Sequence, residues 1–167
     1  EAKGLEVGVG SGQFAGPLGI ALGVEPSETM ARKAESAGIQ VLRGTAENLP
    51  LAEAEFDFVL MVTTICFVDD VDAAFREAWR VLAPGGRLIL GFVDRESDLG
   101  QQYYAKRKQS VFYRDAVFFS AGEVEQHLRK VGFGELSFVQ TLIPGEPTGV
   151  IADGYGRGAF IAVSAVK

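Results

Sequence analysis

The stretch Leu5-Glu6-Val7-Gly8-Val9-Gly10-Ser11-Gly12 joins a short apolar run to glycines at alternate positions. Glycine adopts positive φ without steric cost, so this turn can bring bare backbone close to a ligand. The residues that follow would offer the free amides of a helix N-terminus. The pattern is typical of a strand-to-helix turn that holds a cofactor, although a tight turn without a ligand has the same residues.

Apolar runs and helical patterns alternate along the rest of the chain. Seven runs are predicted as strands: Leu5 to Val9, Ile20 to Glu25, Ile39 to Arg43, Phe56 to Thr63, Arg87 to Val93, Leu136 to Ile143 and Ala159 to Val166. Helices are predicted from Ser27 to Ala37, from Val71 to Leu82 and from Ser120 to Gly132. This alternation indicates an α/β fold with a doubly wound, mostly parallel seven-stranded sheet and a C-terminal antiparallel strand pair.

Composition restricts the class of protein. The 167 residues, 47% of them hydrophobic, suit one domain over residues 1–167. A net charge of −6 argues against a nucleic-acid partner and favours a small molecule, and no run is long and apolar enough to span a membrane. The single cysteine, Cys66, excludes a disulfide framework and a cysteine-based metal site, so we expect a cytoplasmic protein without a metal. Because the chain does not begin with Met, we also expect a preceding segment.

An acidic residue follows the second predicted strand. Glu25 lies 13 residues after Gly12, and its carboxylate could accept both hydroxyls of a ribose. The residues Gly10 to Ala15 also satisfy the dinucleotide pattern G-x-G-x-x-A. That fold usually leaves about 20 residues before its ribose acid, whereas Phe14 to Gly19 contains Pro17 and supplies only a turn or two of helix. The spacing favours a nucleoside without a pyrophosphate and leaves an NAD(P)-dependent oxidoreductase as an alternative.

Five segments in order resemble the motifs of class I S-adenosylmethionine-dependent methyltransferases, closest to the small-molecule branch that includes quinone-biosynthesis enzymes. They are Glu6 to Gly12, Glu25, Gly44-Thr45-Ala46-Glu47-Asn48-Leu49-Pro50, Phe56-Asp57-Phe58-Val59-Leu60 and Val81-Leu82-Ala83-Pro84-Gly85-Gly86-Arg87-Leu88. The resemblance implies a Rossmann-like fold, S-adenosylmethionine as cofactor and a small-molecule methyl acceptor. A non-catalytic cofactor-binding module of the same fold is a further alternative. For the preceding segment, it implies helices that close over the cofactor.

The resemblance also implies roles for matching residues. Gly8, Val9, Gly10 and Gly12 would pass under the methionyl part and ribose of the cofactor, and Glu6 would orient this loop. Glu25 would hold the ribose hydroxyls. The adenine would be flanked by Pro26 and Met30 and met at its edge by Ala46 and Glu47. Val62 and Thr63, with Thr64, would lie near the transferable methyl.

No catalytic residue is predicted, because an activated methyl needs chiefly a close and aligned nucleophile. His127 is predicted to be exposed or structural. Relatives often carry a histidine just after the fourth strand, where this chain has Thr64-Ile65-Cys66-Phe67-Val68. The segment 95–119 mixes aromatic and basic residues and is predicted as a possible substrate-covering insertion. An ordinary amphipathic helix with core aromatics would give the same pattern.

Overall fold

A computed structural model describes residues 2–167. The strands are β1 (Gly4–Val7), β2 (Leu22–Val24), β3 (Gln40–Leu42), β4 (Phe56–Val62), β5 (Leu82–Val93), β6 (Gly134–Thr141), β7 (Ala152–Asp153) and β8 (Phe160–Val166). The helices are α1 (Ala15–Leu18), α2 (Glu28–Ser36), α3 (Val71–Val81), α4 (Asp98–Lys106) and α5 (Ala121–Val131). Short 3-10 turns cover Ile65–Phe67 and Arg107–Gln109.

All strands belong to one sheet in the order β3-β2-β1-β4-β5-β8-β6-β7. Strands β1 to β5 pair in parallel, and β8 pairs antiparallel with both β5 and β6. The predicted α/β class, the mostly parallel sheet and the C-terminal antiparallel pair are therefore confirmed. The sheet has eight strands rather than the predicted seven. The additional strand, β7, pairs through two residues with β6, and a strand this short leaves no periodic pattern in the sequence.

Helix ends follow the capping residues of the sequence. Ser27 precedes α2 and accepts a hydrogen bond from the Met30 amide, and Gly38 just after the helix has a φ of 87°. Ser120 precedes α5 and forms a complete capping box with Glu123. Helix α1 contains only four residues, in agreement with the prediction of a turn or two after the glycines.

The junction between α3 and β5 differs from the prediction. Strand β5 begins at Leu82 rather than Arg87 and pairs there with Phe56. The next pair joins Phe58 to Arg87, so residues 83–86 form a bulge opposite a single residue of β4. Gly85 makes this bulge possible with a φ of 77°. Pro84-Gly85-Gly86 therefore lies within β5, at the break in its register with β4.

The two faces of the sheet bury different cores. On one face, Val59 and Met61 of β4 and Leu90 of β5 join a large cluster that includes the apolar stripes of α3 and α5. On the other face, Leu60 belongs to a smaller cluster with residues of the α1 and α2 region. This alternation follows from the two-residue period of a strand. Among residues 2–167, no helix has the length and apolarity required to cross a membrane.

Candidate functional site

A cleft of about 640 Å³ opens at the carboxyl ends of β1, β2 and β4. Its walls are the glycine turn after β1, the residues after β2, the loop after β3 and the residues after β4. The strands that follow β1 in the chain lie on both sides of it: β2 and β3 on one side, β4 and β5 on the other. The order of the sheet therefore reverses at β1. Open α/β sheets bind ligands at such a switch point, and the volume lies in the range of ligand pockets.

The three predicted glycines differ in what surrounds them. Gly8, Gly10 and Gly12 have φ values of 72°, 55° and 82°, which a side chain would strain. A Cβ on Gly8 would lie 2.5 Å from Thr64 Oγ1, and one on Gly12 would lie 2.4 Å from Ile39 Cδ1. A Cβ on Gly10 would make ordinary van der Waals contacts, with Met30 Cε at 3.6 Å and the Gly8 carbonyl oxygen at 4.0 Å. Gly10 therefore presents its free surface to the cleft, whereas Gly12 is required by packing against Ile39.

Glu25 follows β2 and is 7% exposed. Its Oε2 accepts a hydrogen bond from the Gly10 amide and its Oε1 accepts one from the Ser27 amide, each at 2.9 Å. A carboxylate oxygen can accept more than one hydrogen bond, so both oxygens keep acceptor capacity toward the cleft. Glu25 thus joins the glycine turn to the N-terminus of α2 and lines the cleft.

Glu6 is the most deeply buried charged residue of the cleft, at 1% exposure. Its Oε2 is the one fully buried side-chain oxygen or nitrogen without a hydrogen-bond partner among residues 2–167. Burial raises the pKa of Glu6 to about 7, and a hydrogen bond from the Ala15 backbone opposes this only in part. A buried carboxylate oxygen without a partner is costly, and a cationic or hydrogen-bonding ligand would relieve that cost.

The opposite wall comes from the loop after β3. Ala46 and Glu47 line the cleft there. Glu47 Oε1 accepts hydrogen bonds from the backbone amides of Asp69 and Asp70, at 2.6 and 3.4 Å. These bonds fix the loop to the segment that precedes α3, so the shape of this wall depends on two distant parts of the chain.

The structure brings eleven of the twelve predicted site residues together in the lining of this cleft: Glu6, Gly8, Val9, Gly10, Glu25, Pro26, Met30, Ala46, Glu47, Val62 and Thr63. Gly12 lies outside the lining and packs beneath the turn. Sequence reasoning did not select Phe14 or Asp69, which also line the cleft. Nothing in the sequence pattern distinguishes these two exposed side chains from other surface residues.

Thr63 connects the cleft to a second cavity. This inner cavity measures about 30 Å³ and is lined by Thr63, Ile65, Cys66, Phe92, Val93, Tyr103, Tyr113, Phe118 and Phe119. Thr63 has a φ of 54°, an unusual conformation for a β-branched residue. Its amide donates a hydrogen bond to the Gly91 carbonyl at 2.7 Å, and its hydroxyl donates one to the Val62 carbonyl at 2.8 Å. Neighbouring strand β5 thus holds the strained residue in place.

The segment 95–119 supplies walls to both cavities. Val111 and Phe112, 90% and 68% exposed, line the mouth of the cleft. Tyr103, Tyr113 and the Phe118–Phe119 pair line the inner cavity. The segment therefore combines helix α4 with a loop that covers the carboxyl edge of the sheet, and its role toward a substrate stays a prediction.

Two residues that could act as a nucleophile or a base, Cys66 and His127, lie outside the main cleft. Burial raises the pKa of the Cys66 thiol to about 12, which leaves it protonated and a poor nucleophile. His127 Nδ1 lies 2.6 Å from Asp72 Oδ1 and the imidazole packs edge-on against Phe119. His127 lines neither cavity and links α5 to α3. Within residues 2–167, no group of three His, Cys, Asp or Glu side chains could hold a metal ion.

Comparison with known proteins identifies the family. Residues 5–90, slightly more than half of the chain, match the family described as "Methyltransferase domain". A crystal structure from Thermotoga maritima, named as a SAM-dependent methyltransferase and possible histamine N-methyltransferase, is 52% identical with a TM-score of 0.95. The alignment covers 100% of this chain and 83% of that one. The chain belongs to the class I S-adenosylmethionine-dependent methyltransferases.

Other relatives of this methyltransferase differ in name and length. An uncharacterized protein of Methanocaldococcus jannaschii is 42% identical over 170 residues, which cover 100% of this chain and 83% of the relative. A malonyl-[acyl-carrier protein] O-methyltransferase of Methylococcus capsulatus is 31% identical over 159 residues, 88% of this chain. The aligned part is 58% of that enzyme. The family is thus shared among proteins with different named acceptors.

The cofactor used by this methyltransferase family fits the residues of the cleft. S-adenosylmethionine carries a sulfonium, an ammonium and a carboxylate at its methionyl end, which is cationic overall, and ribose hydroxyls in its middle. Glu6 offers an unpartnered buried carboxylate oxygen, and Glu25 offers acceptors on the other side of the same glycine turn. Gly10 leaves the turn open to the cleft. These features meet the requirements of a phosphate-free, partly cationic nucleoside.

Proposed function

We propose that this protein binds S-adenosylmethionine in the cleft at the glycine turn and transfers its methyl group to a small-molecule acceptor. The observation that carries the proposal is the unpartnered Oε2 of Glu6, buried at the cleft beside the turn. A cation stabilises such a carboxylate, whereas the pyrophosphate of a dinucleotide would be repelled by it. Helix α1, with four residues, also offers little helix dipole to a phosphate.

The chain's own residues would bind the cofactor and exclude water. Glu6 would pair with the cationic end, Glu25 would accept the ribose hydroxyls, and Pro26 with Met30 would flank the base. When bound, S-adenosylmethionine supplies an activated methyl group for in-line displacement. Val62 and Thr63 would then border the methyl and place the acceptor against it. Apolar side chains around the cleft mouth would keep water away from the reacting atoms.

No general base is assigned. Cys66 lies beside the inner cavity with a raised pKa, and His127 contacts Asp72 outside both cavities. An acceptor that is already a good nucleophile, or that loses its proton to water, needs no base from the protein.

The small-molecule acceptor is the finer part of the proposal. It is supported by the net charge of −6, which does not favour nucleic acid, and by an inner cavity enclosed by side chains of the chain itself. The T. maritima relative is named for possible histamine N-methylation and the M. capsulatus relative for an acyl-carrier substrate. Because these names disagree in acceptor class, histamine is one member of the acceptor panel rather than the assigned substrate. A cytoplasmic location remains part of the same proposal.

Calorimetry with S-adenosylhomocysteine and with NAD tests the cofactor. We expect saturable binding of S-adenosylhomocysteine and none of NAD; the reverse result would overturn the proposal in favour of an oxidoreductase. Glu6→Gln keeps the size of the side chain and removes its charge. For S-adenosylmethionine, the wild type should lose up to about tenfold in affinity between pH 7 and pH 6 as Glu6 takes up a proton. This dependence should be flatter in Glu6→Gln.

A transfer assay with radiolabelled S-adenosylmethionine tests the reaction. The panel should contain amines, phenols, carboxylic acids and thiols, with an RNA oligonucleotide as the macromolecular comparison. Transfer to at least one small-molecule class is the expected result. Cofactor binding without transfer to any class, in the longest natural form of the protein, would favour a non-catalytic binding module.

A further inference from the structure

Three aromatic rings form a stack between the cleft and the inner cavity. The Tyr113 ring lies 5.4 Å from that of Tyr103 at an interplanar angle of 17°, and 6.1 Å from that of Phe67 at 18°. Both neighbours are thus nearly parallel to Tyr113. Phe67 lines the cleft, whereas Tyr103 and Tyr113 line the inner cavity. The Tyr113 ring is therefore nearly parallel to one ring of the cleft lining and to one ring of the inner cavity, and we call the position that it occupies beside both rings the slot.

Within residues 2–167, the hydrogen bonds of Tyr113 involve its backbone and not its hydroxyl. Its amide donates to Ser110 Oγ at 3.1 Å, and its carbonyl accepts from the Ala116 amide at 3.1 Å. Its ring is held in the slot by aromatic contacts, with the two nearly parallel rings and with Phe112 at 4.9 Å and Phe118 at 5.9 Å. Such contacts are not specific to tyrosine. A different planar ring could make the same contacts. A rotation of the Tyr113 side chain would clear the slot without breaking those backbone bonds.

The slot lies beside the residue that joins the two cavities. Thr63 lines both the cleft and the inner cavity, and the inner cavity has no charged side chain in its lining. With a free volume of about 30 Å³, the cavity holds about one water molecule while Tyr113 is in place. Any acceptor that enters must therefore displace a side chain, and Tyr113 is the one in the stacking position.

We propose that the slot beside Phe67 and Tyr103 is the acceptor site, that it takes a planar aromatic ring, and that Tyr113 fills it until the acceptor displaces it. This assignment rests on the proposed methyl transfer, since it places the acceptor across Thr63 from the cofactor. The apolar and aromatic lining selects an uncharged ring. The hydroxyls of Thr63 and Tyr103 are the groups available to a polar substituent on that ring.

The test uses p-cresol, which has the ring and hydroxyl of a tyrosine side chain, and its ring-saturated analogue 4-methylcyclohexanol. Binding to the protein saturated with S-adenosylhomocysteine is measured by calorimetry for the wild type, Tyr113→Ala and Tyr104→Ala. Tyr104 lies on α4 next to Tyr103, stacks with Arg107 and lines neither cavity, so its variant is the control for loss of a tyrosine ring from the same segment. Labelling tyrosine rings with ¹³C allows the Tyr113 signal to be followed in the wild type.

We expect p-cresol to bind the wild type and shift the Tyr113 ring signal, and to bind Tyr113→Ala about tenfold more tightly because no ring must be displaced. Tyr104→Ala should match the wild type, and the saturated analogue should bind at least tenfold more weakly than p-cresol throughout. Against any acceptor found in the transfer assay, p-cresol should inhibit competitively with the acceptor and not with the cofactor.

Two results would overturn the assignment. One is the absence of p-cresol binding and of a Tyr113 shift in the wild type, while Tyr113→Ala binds both probes equally. That pattern would describe only a hole left by the deleted side chain. The other is inhibition competitive with the cofactor. In both cases the proposed cofactor site is still supported if the wild type binds S-adenosylhomocysteine. A wild type that does not bind S-adenosylhomocysteine would contradict the proposed function itself.

Discussion

The backbone amide of Gly10 donates a hydrogen bond to Glu25 Oε2 at 2.9 Å, so the carboxylate that lines the cleft also holds the glycine turn. Ser27 donates a second backbone hydrogen bond to the same side chain. One buried carboxylate thus connects β1, β2 and the start of α2. Because Glu25 both holds the glycine turn and lines the cleft, the shape of the turn and the position of the carboxylate oxygens that would bind a ribose depend on each other.

Glu25→Ala should weaken binding of S-adenosylhomocysteine by about 1.5 to 3 kcal/mol, roughly 10- to 150-fold, because a charged acceptor is lost and two backbone amides lose their partner. Calorimetry at fixed pH measures the change. Glu28→Ala is the control, since Glu28 is an exposed carboxylate on α2 that pairs with Arg32. Unchanged affinity in Glu25→Ala would contradict the ribose role.

The buried carboxyl of Glu6 should make stability depend on pH. Its pKa is about 7 in the folded protein and near 4.5 in the unfolded chain, so the folded state binds the proton more tightly. The free energy of unfolding should therefore fall as pH rises from 4.5 to 7, by roughly 3 kcal/mol from this group, and level off above pH 7. Urea unfolding at several pH values measures the trend.

Glu6→Gln separates this effect from the titration of other groups. The variant should lose most of the decline between pH 4.5 and 7 and should be more stable than the wild type at pH 8, because no charge is buried. At pH 8 it should also bind the cationic cofactor more weakly. A variant with the same pH profile as the wild type would show that Glu6 does not carry the buried charge.

Local features of the sequence predicted the fold and most of the cleft. These features each act within a few residues of the chain: the glycines at alternate positions, the caps at Ser27 and Ser120, and the alternation of apolar residues. Parallel pairing then brings the ends of β1, β2 and β4 to one edge, so residues placed after those strands meet. This explains why the predicted Glu6, Glu25 and Thr63 share one cleft.

Features that depend on distant contacts could not be predicted. Strand β7 has two residues, and the bulge at residues 83–86 depends on the register of β4 against β5. The slot filled by Tyr113 requires Phe67 and Tyr103, which lie more than thirty residues apart in the chain. Gly10 and Gly12 fit one motif, so the sequence predicts the same role for both, and the position of Ile39 separates their roles in the structure.

Alanine substitutions should separate these two glycines. Gly10→Ala places a Cβ at ordinary van der Waals distance from its neighbours but at positive φ, and it should cost about 1 kcal/mol of stability. Gly12→Ala adds a contact of 2.4 Å with Ile39 and should cost about 2 to 4 kcal/mol. Cofactor affinity should show the opposite order, since Gly10 lines the cleft and Gly12 does not. Thermal unfolding and calorimetry measure the two quantities; equal losses of affinity would place Gly12 in the cofactor site as well.

Thr63 should show a conflict between stability and activity. A β-branched residue at a φ of 54° stores about 1 to 3 kcal/mol of backbone strain, and asparagine adopts this conformation more easily. Thr63→Asn should therefore raise the free energy of unfolding by about 1 kcal/mol, or the Tm by roughly 2 to 4 °C. The new side chain also changes the one residue that lines both cavities, so kcat should fall by about tenfold or more through misplacement of the acceptor.

Thr141→Asn, on β6 and away from both cavities, controls for the substitution itself. The prediction is that Thr63→Asn relieves backbone strain and misplaces the acceptor. A Thr63→Asn variant that is less stable than the wild type and fully active would contradict both parts.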